Sequence, residues 1–157
     1  MRVLICGAGI AGLTLAYWLN QDGHDCTIVE KAPDIRTTGY LIDFGGTGWD
    51  VANKMGIIPK LESVQFPTST INFLRPNGKV ISQIDVQNLY EAAGVAGKFL
   101  VLNRRDIVVV LYEHVRKDTR ICFDLSIAKI QNTDEYAHVT FTDGTSGDFD
   151  IVVGADG

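Results

Sequence analysis

Three glycines and one carboxylate near the N-terminus carry the plainest chemistry in this chain. Gly7-Ala8-Gly9-Ile10-Ala11-Gly12 follows the apolar run from Met1 to Cys6 and runs into the helical-looking segment from Leu13 to Leu19. A second apolar run, Cys26 to Val29, ends in Glu30. G-x-G-x-x-G between a strand and a helix, with an acid at the tip of the next strand, is an arrangement that holds a dinucleotide. Gly7 allows a tight turn out of the strand. Gly9 leaves room for a pyrophosphate beside the backbone, and Gly12 lets the helix pack closely on the sheet. The helix N-terminus offers free N–H groups and partial positive charge to phosphates. The Glu30 carboxylate suits ribose hydroxyls and repels a 2′-phosphate, which favours FAD or NAD over NADP. Gly7, Gly9, Ala11, Gly12, Glu30 and Lys31 are the candidate cofactor-binding residues here. The plainer alternative is a glycine-rich turn with no ligand, and the flanking strand, helix and acid argue against it.

The elements that must position these residues follow from the patterning. Residues 2–30 form a β-α-β unit, and Lys31 to Gly39 reads as a polar loop. Tyr40 to Phe44 is a short strand, and Trp49 to Met55 has helical spacing with Gly56 as its stop signal. Ile57 to Ser63 is a second short helix. Thr70 to Leu74 and Lys79 to Ile84 flank Arg75-Pro-Asn-Gly78, and Asn-Gly between two strand-like runs predicts a hairpin. Residues 85–98 are weakly patterned, with Gly94 and Gly97 suggesting a mobile loop. Phe99 to Leu102 is a strand, and Ile107 to Arg116 reads as a helix despite its β-branched run. Arg120 to Phe123 is strand-like, Ser126 to Gln131 pairs with Ala137 to Thr142, and Thr142 to Thr145 is a turn. Asp148 to Val153 reads as one strand entering Gly154-Ala-Asp-Gly157, so the chain looks like the N-terminal part of a longer protein.

Composition narrows the class. The chain has 157 residues, is 46% apolar and carries a net charge of −5 without a basic cluster. That size suits one domain with a real core. The charge argues against nucleic-acid and anionic-membrane partners. No secretory signal and no run of about 20 apolar residues is present, which points to a cytoplasmic protein. Cys6, Cys26 and Cys122 fall in predicted strands with no C-x-x-C pair, as expected of reduced structural thiols. His24, His114 and His138 lack metal-ligand spacing, and no nucleophile triad stands out. No residue is singled out as catalytic, which fits an enzyme whose cofactor carries the chemistry.

Two further motifs complete a pattern. Leu102-Asn103-Arg104-Arg105-Asp106-Ile107 is followed by Leu111, and Asp150-Ile-Val-Val-Gly154-Ala-Asp156-Gly157 closes the chain. With the glycine turn and Glu30, these resemble, in order and spacing, the FAD-dependent aromatic hydroxylases, the class A flavoprotein monooxygenases. The tetracycline-oxidising and polyketide-tailoring members are the most similar. The resemblance covers the whole chain but only the first part of the family's length. It implies an α/β fold: a Rossmann-like FAD-binding βαβ core with an inserted part of a β-sheet substrate domain, incomplete here. Residues 1–68 and 99–157 would form the FAD-binding domain, and 69–98 the start of the substrate-domain sheet.

The resemblance also implies roles. Arg104 would contact the flavin nucleotide near its pyrophosphate or ribityl chain, where a guanidinium gives forked donors to phosphate. Arg105 is the alternative by one residue of register, and a surface ion pair of Arg104 with Asp106 or Glu113 is the plainer reading. Asp156 and Gly157 would lie near the pyrophosphate, or form a plain turn. Asp43 either faces the active site or caps the helix after Gly48. Tyr40, Trp49 and Phe73 either line an aromatic pocket or pack in the core. The implied reaction uses NADH or NADPH to reduce FAD, then dioxygen to form a flavin hydroperoxide that hydroxylates an aromatic or polyketide-like small molecule. The family's downstream Gly-Asp motif is not in this sequence, so these 157 residues alone are expected to be inactive. Alternatives are a related FAD-dependent reductase or halogenase, and a stand-alone dinucleotide-binding module.

Overall fold

Strand β1 (Arg2–Cys6) is the pivot of the architecture, pairing in parallel on both sides. The computed structural model describes residues 1–35 and 39–157, so part of the predicted 31–39 loop lies outside the described residues. Two compact units divide the chain: Met1–Thr38 with Ile107–Gly157, and Gly39–Asp106. The second unit therefore takes in residues 39–68 and 99–106 as well as the 69–98 segment.

In the first unit, β1, β2 (Asp25–Val29), β7 (Arg120–Cys122) and β11 (Ile151–Gly154) form a parallel sheet of order β11-β1-β2-β7. Val3, Leu4 and Ile5 are all buried, as expected when a parallel sheet is covered on both faces. Helix α1 (Ile10–Gln21) connects β1 to β2 and buries Gly12, Leu13 and Ala16. It lies on the Ile5 face, because a methyl placed on Gly12 would meet Ile5 Cγ2 at 3.2 Å. The opposite face, that of Leu4 and Val29, packs against Val139 and Phe141. These two belong to an antiparallel sheet of β8 (Ile127–Asn132), β9 (Ala137–Phe141) and β10 (Ser146–Phe149).

The second unit pairs β3 (Leu41–Gly45) antiparallel with β6 (Phe99–Asn103) and carries helices α2 (Thr47–Lys54) and α3 (Ile58–Ser63). Trp49, Ala52, Met55, Ile57, Leu61, Leu100 and Leu102 are buried there. The hairpin β4 (Thr70–Leu74)–β5 (Val80–Asp85) forms around Asn77-Gly78 as its sequence predicts, with Gly78 at φ +80°. Helix α5 (Arg104–Val115) starts in this unit and continues in the first.

Two predicted segments differ. The expected mobile loop 85–98 contains helix α4 (Val86–Ala92), nucleated by Asp85, whose carboxylate accepts from the Asn88 N–H at 2.9 Å. The expected single strand 148–153 is two strands in two sheets. The chain turns at Asp150, whose N–H donates to Arg2 O and whose carboxylate accepts from the Arg2 N–H at 2.7 Å.

Candidate functional site: a glycine turn braced by Glu30

The turn after β1 is built from close approaches that exclude side chains at two of its three glycines. Gly7 has φ +116°, and a Cβ there would sit 2.6 Å from Ala155 O. A Cβ on Gly12 would lie 2.0 Å from Gly7 O. Gly7 thus admits the segment after β11, and Gly12 admits the turn itself. The Ala155 N–H donates to Cys6 O at 2.7 Å, which brings Asp156 and Gly157 beside the turn although they are some 150 positions away in sequence.

Gly9 is different. Nothing lies within 4 Å of the position its Cβ would take, and its φ of −85° is open to any residue. No packing or strain demands glycine there, so the absent side chain leaves a free approach to the backbone. Gly9 is also the N-cap of α1 and offers no capping side chain, and the Leu13 N–H is the first to close a helical bond, to Gly9 O. Among the described residues, the Ile10, Ala11 and Gly12 N–H groups have no backbone acceptor. An anion fits this corner through both the free donors and the helix dipole.

Glu30 closes the opposite side. Its Oε2 accepts from the Ala8 N–H at 3.0 Å and its Oε1 from the Ala32 N–H at 2.9 Å. The carboxylate therefore braces the glycine turn against the end of β2, and each oxygen keeps a lone pair for a hydroxyl donor. Lys31 is exposed beside it. The Cys6 thiol, at the base of the turn, is pushed up from its ordinary pKa by burial, then by the charges of Asp156 and Glu30. Cys6 is therefore a neutral filler at physiological pH.

A separate open cleft of about 730 Å³ reaches Cys6, Gly154 and Asp156 from the Leu4 face. Its rim carries Asp134, Glu135, Asp150 and Asp156, so phosphate is electrostatically favoured at the α1 corner instead.

Arg104 belongs to the second unit, and the plainer ion-pair reading of it fails. Asp106 pairs with Arg105 at 3.1 Å and Glu113 with Arg116 at 2.7 Å. Arg104 is half-buried and forms no hydrogen bond or ion pair through its side chain among the described residues. Its N–H is fixed on Tyr40 O at 3.0 Å, and the Asn103 side-chain Oδ1 caps the helix start by accepting from the Arg105 N–H at 3.0 Å.

Other expectations change. Asp43 does not cap a helix, since α2 begins at Thr47 with Gly46 as its N-cap. It is exposed on β3, and its charge, after desolvation, helps raise the Tyr90 pKa. Tyr40 and Phe73 are 69% and 51% exposed while Trp49 is buried, so the three do not pack in one core. No group of metal-ligating side chains occurs among the described residues. No helix among them is long and apolar enough to cross a membrane.

Comparison with known proteins bears on this geometry. Residues 2–40 match the family of FAD dependent oxidoreductases. The chain is 32% identical to the flavin-dependent monooxygenase eupH of Phoma sp and 31% identical to the FAD-dependent monooxygenase asL4 of Sarocladium schorii, in each case over its whole length. It covers 38% and 37% of those two proteins, so it spans little more than a third of these relatives. Among solved structures it is similar to the tetracycline destructase Tet(55), at 29% identity and TM-score 0.86, covering 99% of this chain and 38% of that one. The fold is shared with CtdE, solved in complex with FAD, at 24% identity and TM-score 0.85. The resemblance drawn from three ordered motifs therefore stands, as does an α/β fold that corresponds to the N-terminal part of these enzymes.

Sequence reasoning missed how Glu30 is held. The Glu30 N–H donates to Cys122 O at 2.9 Å, and Glu30 O accepts from the Leu125 N–H at 3.0 Å. No periodicity links residues 30 and 125, because the link is made through space by β7.

Proposed function

We propose that this chain forms the adenosine and pyrophosphate end of the FAD site of a flavin-dependent monooxygenase. The observation that carries the reading is Gly9, a glycine that nothing in the protein requires, placed where free helix N–H groups converge. In this reading the pyrophosphate lies against Gly9 and the N–H groups of Ile10, Ala11 and Gly12. The ribose hydroxyls donate to the Glu30 lone pairs left free by Ala8 and Ala32. Asp156 and Gly157, anchored through Ala155 to Cys6, border the same turn, and Lys31 stands at its outer edge. Arg104, whose backbone is fixed beside the Asn103 cap and whose side chain has no carboxylate partner among the described residues, leaves a guanidinium available to a phosphate-bearing ligand.

FAD, when bound, would supply the redox chemistry by which NADH or NADPH and dioxygen oxygenate an aromatic or polyketide-like small molecule, with water as the other product. The residues described here would bind and orient the cofactor. The whole-length similarity to eupH and asL4 supports monooxygenation over a reductase or halogenase role. The 69–98 hairpin region is assigned to a substrate-facing sheet.

The test is the absorbance spectrum of the full-length gene product. Bound-flavin bands, bleached by NADPH or NADH without oxygen and restored with substrate hydroxylation on aeration, are expected. A colourless protein that takes up no added FAD overturns the reading.

A further inference from the structure

Asp124 is the one non-glycine residue with a positive φ, +53°, among the described residues. L-residues avoid this left-handed region, asparagine and aspartate least so, and strain of this kind is retained where surroundings enforce it. The surroundings here are specific. On one side, the Phe123 ring lies 6.1 Å from that of Tyr112 in α5. On the other, Leu125 packs against the cluster of Leu4, Val29, Val139 and Phe141. The kink lets successive apolar side chains anchor in two places while the main chain between them faces the end of β2. There the Asp124 N–H donates to Ala32 O at 3.1 Å and the Leu125 N–H to Glu30 O at 3.0 Å, while Cys122 O accepts from the Glu30 N–H at 2.9 Å. Residues 122–125 thus form a strap across residues 30–32. Those are the residues that hold the Glu30 carboxylate, through the Ala32 N–H on Oε1, and through it the Ala8 N–H on Oε2. The Asp124 side chain itself is exposed and forms no hydrogen bond among the described residues, so its contribution is its backbone conformation.

We propose that Asp124 is a positioning residue: its left-handed backbone sets the strap that aims the Glu30 carboxylate at the cofactor ribose. The claim rests on the FAD reading for its ligand and on the hydrogen bonds alone for its mechanics.

The test compares Asp124→Val, Asp124→Asn and Asp124→Gly in the full-length gene product, each alone and with Glu30→Gln. The readouts are amide hydrogen exchange at Ala8 and Ala32 and titration with FAD. Valine is strained at positive φ, whereas asparagine and glycine accept it. Asp124→Val is expected to speed exchange at Ala8 and Ala32 by about tenfold or more, with the β8–β9 amides unchanged. It also weakens FAD binding by about tenfold, whereas the asparagine and glycine variants match the parent in both readouts. In the Glu30→Gln background the same change costs less than about twofold in FAD affinity, the signature of coupled sites. Unchanged exchange at both amides overturns the proposal, and so does an undiminished FAD effect in the Glu30→Gln background. Exchange that responds as expected in a chain that ignores FAD supports the strap and overturns the cofactor reading alone. Should the valine variant not fold, Asp124→Ala reads the same strain at smaller size.

Discussion

The parallel sheet around β1 and the β4–β5 hairpin are both made of short apolar strands, yet they bury them in opposite ways. Val3, Leu4, Ile5, Ile28 and Val29 are at most 1% exposed, while Ile71, Phe73, Leu74, Val80 and Ile81 are between 41% and 61% exposed. The first set is sealed by α1 on one face and the β8–β9–β10 sheet on the other. Among the described residues, the hairpin pairs only its own two strands. From Val3 to Cys6 β1 is a continuous apolar run, whereas polar Asn72, Ser82 and Gln83 interrupt the hairpin strands, so the two also differ in the faces they offer for covering. The covered sheet holds the corner proposed for the cofactor, and among the described residues the hairpin is held by its own pairing and turn.

Substitutions separate the two regions by size of effect. Gly12→Ala is expected to be the most damaging, at about 3 kcal/mol or more, because its methyl would overlap Gly7 O and neither backbone can yield. A denaturant midpoint equal to the parent's would refute the close packing of turn and helix. Leu4→Ala should cost about 2–5 kcal/mol, while Phe73→Ala and Ile81→Ser should stay within about 0.5 kcal/mol. Equal losses at the two sites would erase the contrast.

Gly9→Ala sharpens the comparison within the covered region. Stability should hold within about 0.5 kcal/mol, because nothing surrounds the new methyl, while FAD affinity falls at least about tenfold. Unimpaired FAD binding by that variant would remove the pyrophosphate from this corner. Arg104→Ala should weaken FAD by roughly 10- to 100-fold, the worth of a charge-assisted hydrogen bond, while Arg105→Ala loses only an exposed pair and leaves affinity alone. Reversed effects would shift the register to Arg105.

The smallest effect is expected from the thiols. Burial pushes both Cys6 and Cys26 upward, with Asp156 and Glu30 adding to Cys6 and Asp25 to Cys26. The neutral thiol is the favoured native form. The stability tied to these groups is therefore complete below the ordinary thiol range and is lost as pH rises through their raised folded values. Iodoacetamide at pH 8 should label both slowly in the native chain and quickly in urea. Rapid native labelling would show the sheet to be less closed than described.

Local signals made most of the fold legible. The strand–glycine–helix order, the Asn77-Gly78 hairpin and the β8–β9 pairing each depend on residues close in sequence. What was not legible depends on partners far apart. Asp148 to Val153 alternates like one strand, and only the Arg2 backbone, which turns the chain at Asp150, splits it between two sheets. Helix α4 was hidden because its cap, Asp85, ends a strand whose pattern runs into it. At the site, the types of Gly7, Gly9, Gly12 and Glu30 were readable, but their different reasons were not. Gly7 answers to Ala155, Gly12 to Gly7, and Gly9 to empty space.

The pairing of β1 between β2 and β11 also has a consequence for synthesis. During synthesis β1 gains one neighbour at residues 25–29 and must wait for the other until residues 151–154. At typical elongation rates of about 5–20 residues per second, that gap lasts roughly 6 to 25 seconds. Throughout it one flank of β1 is bare, and the carbonyl that demands glycine at position 7 has not yet been made. The corner that looks most local in the sequence is thus completed only once residues 151–155 have been made.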